Sequence, residues 1–199
     1  MEKSLKLLSI LLDYPTAEVQ HALVSFIDFL NNDTSIEKKQ RKRVIAFMDM
    51  YRNKPLLEWQ QEYTQVFDYT PSASLYLFDH IHGESRQRGA AMVNLKLMYE
   101  DEGLELSANE LPDYLPVFLA FLGETKSMKQ AADYLAEVKD VLEDILKSLE
   151  KSESNYQYLL KCLLSIASKG KASEHPADSY SDELSKACAG CLFNQEITH

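Results

Sequence analysis

The chain has 199 residues, of which 45% are hydrophobic and 26% are charged. This length suits one domain with a short tail, and this composition permits a buried core and excludes wholesale disorder. The 31 acidic and 21 basic side chains give a formal net charge of -10, which repels a phosphate backbone and argues against a nucleic-acid-binding protein.

The apolar residues recur at helical spacing along almost the whole chain, which contains only six glycines and six prolines. A first helix is expected to end at Asp13-Tyr14-Pro15, and Thr16 can cap a second one. A third helix begins near Ser35 and carries the basic run from Lys38 to Arg43, which we interpret as a solvated face. The pattern predicts an all-α protein.

A fourth helix follows Pro55 and carries aromatic side chains four residues apart, at Trp59, Tyr63 and Phe67. This stripe is most simply part of the core. The helix after residue 89 is expected to end at Gly103.

The segment from Ser107 to Glu110 has capping-box spacing, so a helical turn is expected just before Leu111. Pro112 and Pro116 then make the following stretch bent or hinge-like.

The longest regular segment runs from Ser127 to about Glu150 with a seven-residue apolar repeat, which predicts one helix of an antiparallel bundle. A last helix runs from Ser152 to Lys169, after which the composition becomes small and polar. We therefore expect a helical domain over residues 1–169 and a flexible or weakly helical tail over 170–199. No segment is long and apolar enough to span a bilayer, and no signal peptide is recognisable, so a cytoplasmic protein is expected.

The segment from His80 to Gly89 contains two histidines, a carboxylate, two arginines and two glycines within ten residues. His80 and His82 would lie on different sides of a helix, so they can chelate a metal together only in an extended segment, with Asp79 or Glu84 as a third ligand. A metal-dependent helical enzyme that uses both histidines is one hypothesis. The other is a loop that enters a helix and helps to hold a peptide.

The cysteines are too few for a disulfide framework. Cys188 and Cys191 have the spacing of a redox pair or of half a zinc site, but no second cysteine pair accompanies them.

A peptide groove needs fewer specific groups than an active site does, because an irregular junction rimmed by aromatic and acidic side chains is enough. The candidate carboxylates are those of Glu62, Asp68, Asp79, Glu84, Glu110 and Asp113. The candidate aromatic groups are those of Tyr63, Phe67, Tyr76, Phe78, Tyr114 and Phe118.

Three segments resemble the NarJ family of nitrate reductase delta subunits: Glu62 to Phe67, His80 to Met92, and Glu110 to Pro116. These are system-specific assembly chaperones, related to the TorD and DmsD chaperones of molybdoenzymes. The similarity covers about residues 4 to 168 in helical layout.

The resemblance implies an all-helical, non-enzymatic chaperone without a cofactor of its own or a metal site. Its partner would be the N-terminal, leader-like segment of the apo catalytic subunit of nitrate reductase. Binding would delay docking to the membrane anchor until the molybdenum cofactor and, in this family, an iron-sulfur cluster are inserted. No nucleic acid and no direct membrane insertion are expected, and a homodimer stays open.

The motif residues are assigned to peptide binding by the resemblance. They are His80, His82, Gly83, Glu84, Arg86 and Arg88 in the central motif and Pro112, Asp113 and Pro116 in the later one, with Tyr63 and Phe67 from the aromatic stripe. Gly89 also matches the central motif but is assigned no role in binding. Tyr114 is included as well, although relatives often have histidine there, so a role of that imidazole in nucleotide or leader binding does not transfer to this chain.

Overall fold

The structure is a computed structural model that describes residues 2–82, 86–104, 106, 110–125 and 127–172. These residues form helices and turns, and the only β-type pairing among them is one isolated bridge, which confirms the predicted all-α fold. The helices are α1 Glu2–Leu12, α2 Ala17–Asn32, α3 Lys38–Tyr51, α4 Leu56–Phe67, α5 Leu77–Ile81, α6 Arg86–Asp101, α7 Leu115–Leu122, α8 Met128–Glu137, α9 Lys139–Lys151 and α10 Gln157–Ala167. None of these described helices combines the length and apolar character that crossing a bilayer requires.

The predicted helix boundaries hold where a local signal sets them. The Thr16 hydroxyl accepts a hydrogen bond from the Val19 amide at 3.3 Å and caps α2. Gly103 follows α6 with φ +84°, a backbone conformation that glycine adopts without steric cost. The capping box predicted before Leu111 has Ser107 outside the described residues, and the next helix begins only at Leu115.

The long helix predicted from Ser127 to Glu150 is wrong, because the chain breaks at Val138 into α8 and α9. A straight helix over that segment would be about 36 Å long, whereas α10 has only 11 residues and spans about 16 Å. The break lets α8 and α9 both pack on α10. Residues 152–156 form turns instead of extending α10.

The aromatic stripe of α4 lies in the core, as predicted. The Trp59 ring stacks on Tyr51 with 5.0 Å between the ring centroids, and its indole N–H donates to the Tyr156 hydroxyl at 2.7 Å. Tyr63 and Phe67, which lie on α4 with Trp59, pack edge-on against Tyr156. These contacts join α3, α4 and α10.

Helix α1 packs along α7. The Ser9 hydroxyl donates to the Pro116 carbonyl at 2.6 Å, and both groups are buried. This contact places the C-terminal end of α1 beside the first turn of α7, where the candidate site lies.

The chain stays against α8 after α10 ends. The Lys171 amide donates to Asp133 at 2.8 Å, and a Cβ atom at Gly170 would lie 2.0 Å from the Ala132 carbonyl oxygen. The domain boundary at residue 169 stays a prediction, and residues 173–199, including Cys188 and Cys191, lie outside the described part of the chain.

Candidate functional site

Two tyrosines that are far apart in sequence meet in an isolated antiparallel bridge, Tyr76 ahead of α5 and Tyr114 ahead of α7. The Leu77 amide donates to the Asp113 carbonyl at 2.9 Å, and the Leu115 amide donates to the Leu75 carbonyl at 2.8 Å. The two tyrosine rings lie side by side with 5.2 Å between their centroids. The bridge therefore fixes the spacing of two aromatic side chains.

Asp113 lies directly before Tyr114 of this bridge and is 0% exposed. Its Oδ2 accepts a hydrogen bond from the Phe78 amide at 3.2 Å, near the start of α5, so it serves as a cap supplied from a distant part of the chain. Arg88 of α6 lies 2.7 Å from the Asp79 carboxylate and 3.9 Å from Asp113. Arg88 therefore links α6 to α5 through Asp79 and to the segment before α7 through Asp113.

Burial raises the pKa of Asp113, although the Phe78 amide and the Arg88 charge partly offset this effect. Its Oδ1 has no hydrogen-bond partner within the described part of the chain. The folded protein therefore holds this proton more tightly than the unfolded chain does.

Replacing Asp113 with asparagine is expected to change how stability depends on pH. A raised folded pKa contributes stability below about pH 3.9 that is lost as the pH rises through the folded pKa. As the pH rises from about 3.9 through the folded pKa of Asp113, the free energy of unfolding of the unmodified protein should therefore fall relative to that of Asp113→Asn. Urea denaturation at a series of pH values measures the difference, and a difference that instead moves in favour of the unmodified protein with rising pH would contradict this account.

The two histidines are not an extended pair. The Nε2 atom of His80 lies 2.9 Å from the Ser74 carbonyl oxygen, and a carbonyl can only accept, so this nitrogen carries the proton and donates. His82 ends α5 in a helical conformation and places its ring edge-on to Phe78, 5.3 Å between centroids. Two helical positions two apart point in nearly opposite directions. Among the described residues, which do not include Glu84, no cluster of three metal-binding side chains exists. The alternative hypothesis of a metal-dependent enzyme has no support from them.

The remaining motif residues are divided between the described and undescribed parts of the chain. Gly83 and Glu84 lie outside the described residues, and Arg86 begins α6. Gly89 lies in α6, with open space where a Cβ atom would stand. The Pro112 carbonyl accepts a hydrogen bond from the buried Tyr99 hydroxyl at 2.7 Å, which ties α6 to the segment before α7.

A groove of about 340 Å³ opens beside the bridge, between the C-terminal end of α1 and the first turns of α7. The lining side chains are Ser9, Asp13, Tyr76, Glu110, Leu111, Tyr114, Pro116, Val117 and Ala120. Tyr76 is 37% exposed and Leu111 is 47% exposed. The groove therefore offers apolar surface to a partner, with Asp13 and Glu110 as carboxylates in its lining.

The Tyr114 hydroxyl connects the groove to the core. It lies 2.7 Å from the Tyr63 hydroxyl and donates its one proton to the Asp13 carboxylate at 3.1 Å. The proton of Tyr63 is therefore shared between the Tyr114 oxygen and the Leu12 carbonyl, which lies 3.1 Å away. Burial raises the pKa of both hydroxyls. They remain neutral hydrogen-bonding groups at physiological pH, and they hold the Tyr114 ring in place.

The electrostatic environment of the groove is acidic. Burial raises the pKa of Tyr76, and the negative charges of Asp113, Asp68, Asp79 and Asp13 raise it further. The surface around Tyr76 therefore attracts a cationic partner, since Coulomb forces act over several ångströms near the surface.

The predicted site residues are only partly brought together. Asp113, Tyr114 and Pro116 form or support the groove, whereas Tyr63 and Phe67 are 3% and 6% exposed and lie beneath it or in the core. Sequence reasoning missed Asp13 and Leu111 as lining residues. In the sequence, Asp13 lies in a segment that indicates the end of a helix. Its position in the groove lining becomes clear only from its contact with Tyr114.

The described residues form an all-helical fold with an acidic and aromatic groove. The sequence profile of the family described as nitrate reductase delta subunit matches residues 13–158. The chain belongs to this family.

Three relatives carry related names. The nitrate reductase molybdenum cofactor assembly chaperone NarJ of Escherichia coli (strain K12) is 32% identical over 179 residues, 90% of this chain and 75% of the relative. The probable chaperone NarW of the same strain is 34% identical over 170 residues, 85% of this chain and 70% of the relative. The probable NarJ of Bacillus subtilis (strain 168) is 31% identical over 164 residues, 79% of this chain and 84% of the relative. The chain is therefore an assembly chaperone and not an enzyme, as predicted.

Proposed function

We propose that this chain acts in the cytoplasm as a system-specific chaperone for the maturation of a nitrate reductase. It binds the N-terminal segment of the apo catalytic subunit and holds that segment from membrane docking until the molybdenum cofactor is inserted. The family and the names of the relatives support a nitrate reductase as the partner.

The acidic groove walled by Tyr76 and Tyr114 is the observation that carries this proposal. Its volume of about 340 Å³ accommodates a few side chains, so the client binds through a small set of anchors and can leave again. Apolar anchors lie against Tyr76 and Leu111, and basic side chains lie near Asp13 and Glu110. All groove walls come from one chain, so this binding mode does not require a homodimer.

Replacing Tyr76 with alanine is expected to weaken binding of a synthetic peptide of the catalytic subunit's N-terminal segment by about tenfold, as loss of an aromatic anchor typically does. Isothermal titration calorimetry with the full chain measures the dissociation constant. Higher ionic strength is expected to weaken binding as well, because the attraction between an acidic groove and a basic peptide is screened.

The matched control is Tyr69→Ala, because Tyr69 is 73% exposed and does not line the groove. This variant is expected to bind as the unmodified protein does. Equal weakening by the two substitutions would remove the groove from the proposal. Failure of the unmodified protein to bind either the peptide or the apo catalytic subunit would remove the proposed client.

A further inference from the structure

A second charged surface lies on α3, away from the groove. Five of the six residues from Lys38 to Arg43 are basic, in a chain with 31 acidic and 21 basic side chains. We call the exposed side chains of Lys38, Lys39 and Lys42, together with the half-buried Arg43, the α3 basic patch.

The basic patch is not explained by the stability of its own helix. The first turn of α3 contains no acidic residue, and cations at a helix N-terminus oppose the helix dipole. In the described part of the chain no carboxylate lies within ion-pair distance of Lys38, Lys39 or Lys42, whereas many other lysines are paired.

The nearby acidic groups already have partners. Glu37, which precedes α3, pairs with Lys169 at 3.4 Å. The Asp33 carboxylate accepts hydrogen bonds from the Ser4 and Ser35 hydroxyls, so its oxygens are held toward α1 and form no ion pair with the lysines of the patch, while its negative charge remains. The lysine charges are therefore available to a partner outside the chain.

The exposed face of α3 indicates an anionic partner. The apolar side of α3 is buried through Val44, Phe47 and Met48, so the helix presents its opposite face to solvent. On that face Lys39 and Met50 lie three turns apart, and Met50 is 42% exposed. Asp49 is exposed on the same side of the helix and pairs with Arg52 at 3.3 Å. Lysines together with an exposed thioether suit the headgroup and glycerol region of an anionic bilayer.

From these observations we infer that the α3 basic patch docks this protein reversibly on anionic phospholipid bilayers. Helix α1 separates the patch from the groove. Its Ser4 end contacts Ser35 ahead of α3, and its other end leads to Asp13 in the groove. The 11 residues of α1 span about 16 Å, about twice the Debye length in physiological salt. A membrane at the patch therefore feels little repulsion from the acidic groove, which stays open to a peptide.

Vesicle co-sedimentation of the full chain tests this inference. At low ionic strength the protein is expected to pellet with vesicles that contain phosphatidylglycerol, to remain in solution with pure phosphatidylcholine vesicles, and to be released by added salt. The triple variant Lys38→Gln, Lys39→Gln, Lys42→Gln is expected to lose on the order of a hundredfold in partitioning, because each basic residue near an anionic surface contributes roughly fivefold. Its melting temperature is expected not to fall, since the lost charges oppose the dipole of α3.

The matched control removes the same charge elsewhere through Lys129→Gln, Lys139→Gln and Lys147→Gln, and it is expected to bind vesicles as the unmodified protein does. Failure of the unmodified protein to pellet with anionic vesicles would overturn the inference. Equal losses in the two triple variants would overturn it as well, since net charge alone would then govern binding. Binding of a short DNA duplex through the same lysines, tighter than binding to vesicles, would assign the patch to nucleic acid instead. None of these outcomes depends on whether the groove binds the proposed client.

Discussion

Replacing Trp59 with alanine is expected to lower the free energy of unfolding by about 3–5 kcal/mol, the usual cost of truncating a large core aromatic side chain. Trp59 is 1% exposed, and its ring is stacked on Tyr51. The substitution opens a cavity and also deprives the buried Tyr156 hydroxyl of its indole partner. Because a whole domain is stable by only about 5–15 kcal/mol, this one change removes a large share of the total.

Urea denaturation followed by circular dichroism measures this effect, since the variant lacks the only tryptophan of the chain. Leu57→Ala is the matched control on the same helix, because Leu57 is 66% exposed. The control is expected to change the free energy of unfolding by no more than about 0.5 kcal/mol. Similar losses in both variants would contradict the view that the aromatic cluster anchors α4.

Gly170→Ala is the second substitution with a large expected effect, a loss of about 1–3 kcal/mol. The added methyl group would stand 2.0 Å from the Ala132 carbonyl oxygen and 2.6 Å from the Asp133 amide nitrogen. Both are backbone atoms of α8, so relief requires the chain after α10 to move away. The hydrogen bond from the Lys171 amide to Asp133 is then lost as well.

Gly89→Ala provides a control of opposite sign. A Cβ atom at Gly89 meets nothing within 4 Å, and alanine in a helix is favoured over glycine by about 0.5–1 kcal/mol. Thermal and urea denaturation of the two variants are expected to move in opposite directions. A stabilised Gly170→Ala protein would show that the contact with α8 does not constrain the chain after α10.

Sequence reasoning succeeded where the structural signal is local. Thr16 caps α2 as predicted, because a hydroxyl three residues ahead of an amide is enough to form the bond. Ser127 caps α8 in the same way, at the residue where the regular segment was expected to begin. The break at Val138 had no such signal, since Leu135, Leu142 and Leu149 are all buried as a continuous helix would require. The break appears only in the tertiary structure, where it lets both α8 and α9 pack on α10.

The candidate site was harder to predict than the fold, because its geometry comes from pairing across long stretches of sequence. Tyr76 and Tyr114 were both named as aromatic candidates, yet nothing near either residue predicts the bridge between them. The buried position of Asp113 and the contact of Asp13 with Tyr114 likewise depend on tertiary packing. Residue types indicated the chemistry of the groove, and the packing of α1 on α7 determined which residues line it.

The bridge between Tyr76 and Tyr114 also affects how freely the length of the chain can change in evolution. The chain segment that contains α5 and α6 begins at Tyr76 and ends at Tyr114, and two backbone hydrogen bonds and the Asp113 cap hold its two ends together. The entropy of closing such a loop grows slowly, by about 0.6 kcal/mol for each doubling of its length. Insertions and deletions between Leu104 and Glu110 therefore cost little closure entropy, and they leave Tyr76 and Tyr114 at the same spacing.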